Sequence, residues 1–294
     1  MEQDAVSLSG QNEANNSQTC LIGRWRNDYG SILDVRAHAP TGEFSGIYTS
    51  DTGASGTYMI TGWSPLVVTG GKNRPFALCL FWKPIDSEVR DPGWNWVSFM
   101  SGVWFSDAPG GLLRIEVLHG LVASTPIETD ARRRHGVHTA TLSFEKVSSG
   151  GSEGARSDWS DSEPYLSSQI ECRLALVNTA RQARVSTLEL IVAANGRAQG
   201  RLGLGDDLVP VTGFMDVDPV GPLQGLALSA LVGGTELSTL ALGGFIRTAE
   251  GKAELELFDA APVSFANRYT AVTVSSETFA IRDHRTAIAD GGTS

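Results

Sequence analysis

The chain has 294 residues, of which 41% are apolar and 19% charged, a composition that can bury a sizeable core and excludes a disordered chain. Its formal net charge of −10 would repel the phosphates of a nucleic acid and an anionic membrane surface, so we expect neither as a partner. The 33 glycines favour a fold in which many tight turns join short strands.

The N-terminal residues lack a recognisable targeting signal. Residues 1–18 have neither the basic start nor the apolar run of a secretory signal, and we expect them to be flexible. The chain contains no run of about 18 apolar residues that could span a bilayer as a helix. Its three cysteines are an odd number without CxxC spacing, which favours reduced, buried thiols. We therefore expect a cytoplasmic protein.

Residues 19–147 alternate apolar and polar side chains over short segments. Each segment has four to eight residues bounded by Gly, Pro, Asp or Ser, as is typical of the strands and turns of an antiparallel meander. No segment shows a convincing helical period. The clearest strand segments are residues 31–35, 42–48, 76–82, 112–118 and 138–144.

Residues 148–168 are rich in Ser, Gly and acidic residues and are predicted to be a linker. Residues 169–285 then repeat the first ladder in the same order, and residues 286–294 are expected to form a flexible tail. The repeat matches 186–190 to 31–35, 196–200 to 42–46, 226–232 to 76–82, 242–244 to 100–102, 253–257 to 113–117, and 278–279 to 143–144.

A repeat of about 120 residues with about eight strands suits a sheet that closes on itself and leaves room for one small ligand. We therefore predict an all-β protein built of two tandem eight-stranded antiparallel up-and-down barrels. Six of the seven tryptophans lie between Trp25 and Trp104, the seventh is Trp159, and the second unit has none. Because aromatic side chains form the walls of binding sites, we expect the ligand pocket in the first unit.

Three blocks of the first unit, Gly23–Ser31, Gly42–Ser50 and Phe76–Lys83, resemble the avidin and streptavidin family. A weaker likeness extends to Phe144 and the two residues after it, so that about 125 residues are covered. The resemblance implies an eight-stranded barrel that binds biotin at one mouth, usually as part of a tetramer.

The resemblance also implies site residues. In that family an Asn, a Ser and a Tyr converge on the ureido carbonyl oxygen of biotin, and Asn27, Ser31 and Tyr48 occupy the matching positions. Three donors on one oxygen could also polarise the carbonyl of a reacting molecule. Further positions implied for the pocket are Ser50, Trp82 and Ser98.

Other expected pocket positions depart from the family pattern. The position of an acidic or amide acceptor falls at Leu142, a tryptophan lent by a neighbouring subunit falls near Arg134, and another wall tryptophan falls near Gly120. We expect Phe81 and Met100 to contact the body of the ligand. The inserted residues 87–96 add Trp94 and Trp96 to the mouth of the pocket.

The second unit departs further from the family. Leu202 answers Tyr48, and either Asn178 or Gln182 answers Asn27, depending on where the gap is placed. We expect aliphatic side chains to fill this barrel.

Three functions are open at this point. The first is binding of a carbonyl-bearing, largely apolar small molecule, with Asn27, Ser31 and Tyr48 catalysing a cyclisation or cycloaddition in secondary metabolism. The second is weak biotin binding, and the third is a scaffold whose two units replace the family's dimer. The surviving carbonyl clamp favours the first. Dinucleotide, phosphate-loop and His-Glu-x-x-His motifs are missing, so we expect neither a metal ion nor a cofactor. The expected partners are a small molecule and, for a homodimer, a second copy of the chain.

Overall fold

The computed structural model describes residues 21–50, 56–67, 73–85, 96–105, 113–125, 135–147, 170–180, 183–233, 237–261 and 272–286. Within these ranges, no helix has the length and apolar character needed to cross a membrane. The predicted N-terminal segment, the linker over 148–168 and the tail beyond residue 286 lie outside the described residues.

The first eight strands form a closed antiparallel barrel, called barrel 1 here. Each strand pairs with the next, and the last pairs with the first, so that Asn27 stands opposite Phe144. The strands are β1 (Gly23–Asn27), β2 (Ile32–His38), β3 (Glu43–Ser50), β4 (Gly56–Trp63), β5 (Arg74–Pro84), β6 (Val97–Phe105), β7 (Arg114–Ala123) and β8 (Gly136–Lys146).

The next eight strands form barrel 2, a second closed antiparallel barrel in which the last strand returns to pair with β9. The predicted fold class is therefore confirmed. The strands are β9 (Ile170–Asn178), β10 (Val185–Ala193), β11 (Arg197–Leu204), β12 (Asp207–Met215), β13 (Gln224–Val232), β14 (Ser238–Arg247), β15 (Lys252–Ala260) and β16 (Val272–Thr286), with a three-residue 3-10 turn at Thr248–Glu250 before β15.

Large aromatic side chains close one end of barrel 1. Trp25 and Trp104 meet edge to face with ring centroids 6.2 Å apart, and Phe44 stacks on Phe76 at 5.1 Å. All four are almost fully buried. Burial of one such ring stabilises the fold by roughly 1.5–3 kcal/mol, so this end of the barrel is a packed core rather than a pocket.

The interior of barrel 2 is aliphatic, as expected. In the buried cluster inside it, Phe279 is the one aromatic residue among the described residues. Leu202 lies opposite Leu188, as Tyr48 lies opposite Leu33 in barrel 1, which confirms that Leu202 answers Tyr48.

Strand pairing settles which residue answers Asn27. Asn178 stands opposite Phe279 in barrel 2, just as Asn27 stands opposite Phe144 in barrel 1. Asn178, and not Gln182, is therefore the counterpart.

Strand pairing also corrects the predicted match of residues 253–257 to 113–117, which is wrong by two residues. Gly102 pairs with Val117 and Gly244 pairs with Leu255, so the counterpart of Val117 is Leu255. Side chains of a strand alternate between its two faces, so a shift of two residues leaves every side chain on the same face. The apolar pattern alone does not detect such a shift.

The two barrels pack against each other through an apolar face with an approximate twofold relation. Near its centre the Thr61 and Thr212 hydroxyl oxygens, which occupy equivalent positions in the repeat, are 3.2 Å apart. The buried cluster between the barrels contains Met59, Ala77, Cys79, Phe81, Val97, Phe99, Val122, Phe214, Leu223, Ala227, Ala241, Phe245 and Phe258.

Two glycines in equivalent turns allow this close approach. Gly42 has a φ of 93° and faces Leu231, and Gly196 has a φ of 86° and faces Phe81. A Cβ atom on Gly196 would stand 2.6 Å from the Phe81 ring and 2.8 Å from the carbonyl oxygen of Met215. A side chain is therefore excluded there by both the backbone angle and the neighbouring barrel.

Candidate functional site

Polar side chains lie inside barrel 1 at the end opposite the one that the large aromatic side chains close. At this end, named the site end, β1, β3, β5 and β7 finish and the strands that follow them begin. Three connections at the site end, residues 51–55, 86–95 and 126–134, lie outside the described residues. Trp94 and Arg134, predicted at the mouth, belong to these connections.

Asn27 ends β1, and its side chain is fixed by the turn that follows. Its Oδ1 accepts hydrogen bonds from the backbone N–H groups of Tyr29 at 3.1 Å and Ser31 at 2.9 Å. This Asx-type turn assigns the two ends of the amide, because only the carbonyl oxygen can accept. The Nδ2 group is therefore directed into the barrel, where it donates to the Tyr48 hydroxyl at 3.2 Å.

The Tyr48 hydroxyl joins the three predicted clamp residues. It hydrogen-bonds Ser31 as well as Asn27, and all three residues are at most 5% exposed. Burial raises the pKa of Tyr48 above its ordinary value, although the bonds to Ser31 and Asn27 lower it in part. The phenol therefore stays protonated at neutral pH, and the clamp is a group of uncharged donors.

The mutual bonds of the clamp leave protons for a guest. The amide and the two hydroxyls carry four protons in total, and the two bonds among them use two. Two protons can therefore be donated to a guest oxygen. All four would be free if the three groups made no hydrogen bonds with one another.

An aromatic wall stands beside the clamp. The Trp82 ring lies 6.0 Å from the Tyr48 ring and 4.9 Å from the Tyr58 ring, in edge-to-face arrangements. Trp82, predicted as a pocket residue, thus lies beside the clamp. Tyr58 was not predicted, although it stands directly opposite Tyr48 in the sheet and shares its inward face.

A second set of polar groups extends from Trp82. Its Nε1 donates to Ser98 Oγ at 2.8 Å, and Ser98 Oγ lies 2.9 Å from Nε2 of His119. Burial lowers the pKa of His119 to about 4, so the imidazole is neutral near pH 7. Both Trp82 and His119 face the interior, and both are half-buried.

Sequence comparison placed a wall position near Gly120, but the inward residue is His119. Gly120 faces outward, where a Cβ would meet the Phe99 ring at 2.5 Å. The alternation that carries Val117 into the core also carries His119 inward, and this was the available signal.

The remaining predicted residues that the structure describes are all buried. Met100 and Leu142 belong to the buried core of barrel 1, and Ser50 is buried at the end of β3. Trp96 is also buried, and its Nε1 donates to Thr125 Oγ1 at 2.8 Å, which ties the start of β6 to the residues after β7 at the site end.

The prediction that Phe81 lines the pocket is wrong. Phe81 and Trp82 are neighbours on β5 and therefore lie on opposite faces of the sheet. Because Trp82 faces inward, Phe81 faces barrel 2, where it stacks on Phe214 with ring centroids 5.8 Å apart.

Comparison with known proteins gives one match by family. Residues 15–89 match the model of the Avidin family. Among solved structures, xenavidin is 22% identical and aligns over 44% of this chain and 99% of its own, with a TM-score of 0.34. The biotin-binding protein from chicken aligns over the same shares at 22% identity, with a TM-score of 0.35. A search of curated protein sequences gives no significant match.

The stretch that matches the family model contains the clamp and Trp82, and thus much of the site end. An avidin-like fold suggests the binding of a small molecule. The resemblance predicted from the sequence is confirmed over residues 15–89, which are similar to the Avidin family.

Proposed function

We propose that barrel 1 binds a small, uncharged molecule by a carbonyl oxygen, which is held by Asn27, Ser31 and Tyr48. The observation that carries this proposal is the orientation of the Asn27 amide. Two backbone N–H groups occupy its oxygen, so its nitrogen can only face Tyr48 and the barrel interior. A group of donors held in place before a guest arrives loses little entropy on binding.

The polar interior favours binding over a purely structural role. A buried polar group costs roughly 1–3 kcal/mol where its hydrogen bonds are not replaced, and the clamp keeps two protons that its mutual bonds do not use. Barrel 2 supports this comparison, because Leu202 replaces Tyr48 there and Leu257 takes the position of His119. The scaffold hypothesis explains the aliphatic interior of barrel 2 but does not explain the clamp of barrel 1.

Biotin is the natural first ligand to test, because the chicken protein similar to this chain is a biotin-binding protein. Leu142 offers no acceptor to an N–H group of a ureido ring, so we expect biotin to bind weakly. Cyclisation or cycloaddition by the same clamp stays a prediction from the sequence, since the contacts of a binding site and of such an enzyme would be alike here.

Calorimetry with biotin and with the monoketone 1-tetralone tests the proposal. We expect 1-tetralone to bind, and the Tyr48→Phe variant to bind it about tenfold more weakly, because the variant loses the hydroxyl that hydrogen-bonds both Asn27 and Ser31 and so keeps the clamp in place. The matched control is Tyr29→Phe, which removes a hydroxyl from a tyrosine that is 64% exposed in the turn after β1. If neither compound binds, or if Tyr48→Phe binds as well as the unchanged chain, the proposal is rejected.

A further inference from the structure

The contacts of Ser98 determine where the protons of His119 lie. An indole N–H can only donate, so Ser98 Oγ accepts from Trp82. Ser98 is fully buried, and among the described residues the partner left for its hydroxyl proton is Nε2 of His119, at 2.9 Å. The hydroxyl therefore donates to Nε2, and in a neutral ring the proton is carried by Nδ1.

The Nδ1–H group of His119 has no hydrogen-bond acceptor among the described residues. Among the described residues, the polar contact of the ring is the one to Ser98, and the ring keeps part of its surface accessible inside the barrel. Burial holds the pKa of His119 at about 4, so the ring keeps one proton and one tautomer at neutral pH. A guest in the barrel can therefore receive this hydrogen bond.

Trp82 separates this donor from the clamp. Its ring lies 6.0 Å from the ring of Tyr48, and its Nε1 is bonded to the Ser98 hydroxyl that holds His119. The interior thus has hydrogen-bond donors at two poles, the clamp with Tyr48 on β3 and His119 on β7, and Trp82 on β5 lies between them in the order of the sheet. An apolar ring that lies along Trp82 would reach both poles with groups at its opposite ends.

Two oxygen acceptors of this interior already accept hydrogen bonds from the protein itself. Asn27 Oδ1 already accepts two backbone hydrogen bonds, and Ser98 Oγ already accepts from Trp82. Met100 and Leu142, which face the same interior, provide no acceptor at all. A guest N–H group placed against Met100 or Leu142 would lose its hydration without replacement, which is unfavourable.

We propose that His119 is a ligand-binding residue and that the ligand is a ring compound with carbonyl oxygens at two opposite ends. One carbonyl meets the clamp and the other meets Nδ1–H of His119. This inference rests on the proposed function, since it assigns the second end of the ligand held by the clamp.

Two probes of similar size separate the poles. 2,3-Dimethyl-1,4-naphthoquinone carries two opposed carbonyls, whereas 1-tetralone carries one. With the full chain, we expect the quinone to bind about tenfold more tightly than 1-tetralone, because it makes one more hydrogen bond. The His119→Phe variant should lose this tenfold preference for the quinone over 1-tetralone, because the donor to the second carbonyl is gone. The exposed His135 provides the control variant, His135→Phe, which should bind both probes as the unchanged chain does.

A measurement on the unchanged chain covers the case in which His119→Phe does not fold. With 15N-labelled histidine, nuclear magnetic resonance should find the proton of His119 on Nδ1, and the quinone should shift that signal while 1-tetralone does not. A proton found on Nε2, or equal affinities for the two probes with an unshifted Nδ1 signal, would overturn the inference and leave the clamp intact. If neither probe binds, the proposed function fails together with it.

Discussion

Leu142 limits which ligands the clamp of barrel 1 can hold. Its side chain is buried among the inward residues of β8, at the position where the family resemblance implies an acceptor for a ureido N–H group. A leucine gives the guest apolar contact but cannot accept a hydrogen bond. Under the proposed function, this residue therefore favours a plain carbonyl compound over a urea.

Restoring an acceptor at this position should favour biotin. We expect Leu142→Asn to bind biotin about five- to tenfold more tightly than the unchanged chain, since a net hydrogen bond contributes about 1 kcal/mol. Calorimetry measures the change. Thr141→Asn places the same amide on the exposed face of the same strand and should have no effect. An equal gain from both variants, or none from Leu142→Asn, would contradict this view of position 142.

At the scale of single elements, the turn between β10 and β11 sets how closely the barrels pack. Gly196 combines a positive φ with contact to Phe81 of the other barrel. The turn between β1 and β2 has the same backbone angle at Gly30, with a φ of 87°, but nothing within 4 Å of where a Cβ would stand. The two glycines thus separate the effect of backbone angle from that of crowding.

Alanine at these two positions should therefore have unequal effects. Gly30→Ala should lower the free energy of unfolding by about 1–2 kcal/mol, because a left-handed backbone is strained for any residue with a Cβ. Gly196→Ala should lower it by at least a further 1 kcal/mol, because Phe81 and the Met215 carbonyl oxygen must also move. Urea denaturation measures both. Equal losses in the free energy of unfolding would show that Phe81 and its neighbours accommodate the added methyl group at no cost.

The elements of the fold were largely predictable, because alternation and turn glycines report directly on strands. The clamp was predictable for a related reason: Asn27, Ser31 and Tyr48 lie in short blocks next to turns, where few gaps can be placed. His119 was missed because it lies in the middle of a regular strand after an inserted loop. The gaps around that loop displaced the alignment by one residue, to Gly120, although the alternation through Val117 indicates that His119 faces inward. The assignment of Phe81 failed because a residue buried between barrels has the same composition signal as one buried inside.

Considered as a whole molecule, the chain pairs two related barrels whose contact face is not symmetric in its side chains. Phe99 of barrel 1 meets Phe258 of barrel 2, with ring centroids 4.5 Å apart. The strand pairings make Ala241 the counterpart of Phe99, and Gly120 the counterpart of Phe258. One side of the approximate twofold therefore holds two rings where the other holds two of the smallest residues.

This asymmetry predicts an energetic coupling across the two barrels. In a double-mutant cycle, Phe99→Ala and Phe258→Ala should be non-additive in the free energy of unfolding by about 0.5–1.5 kcal/mol, since the rings are in direct contact. A cycle that pairs Phe99→Ala with Phe279→Ala, inside barrel 2, is the control and should be additive. Additivity in the first cycle would mean that the barrels contribute to stability independently.

Because both barrels belong to one polypeptide, their contact does not depend on the protein concentration. Two separate subunits would part on dilution, once their concentration fell below the dissociation constant of the dimer. Here the second partner is covalently attached, so its local concentration is set by the connecting segment and is independent of how much protein is present. The shared apolar face thus remains covered even when the protein is scarce.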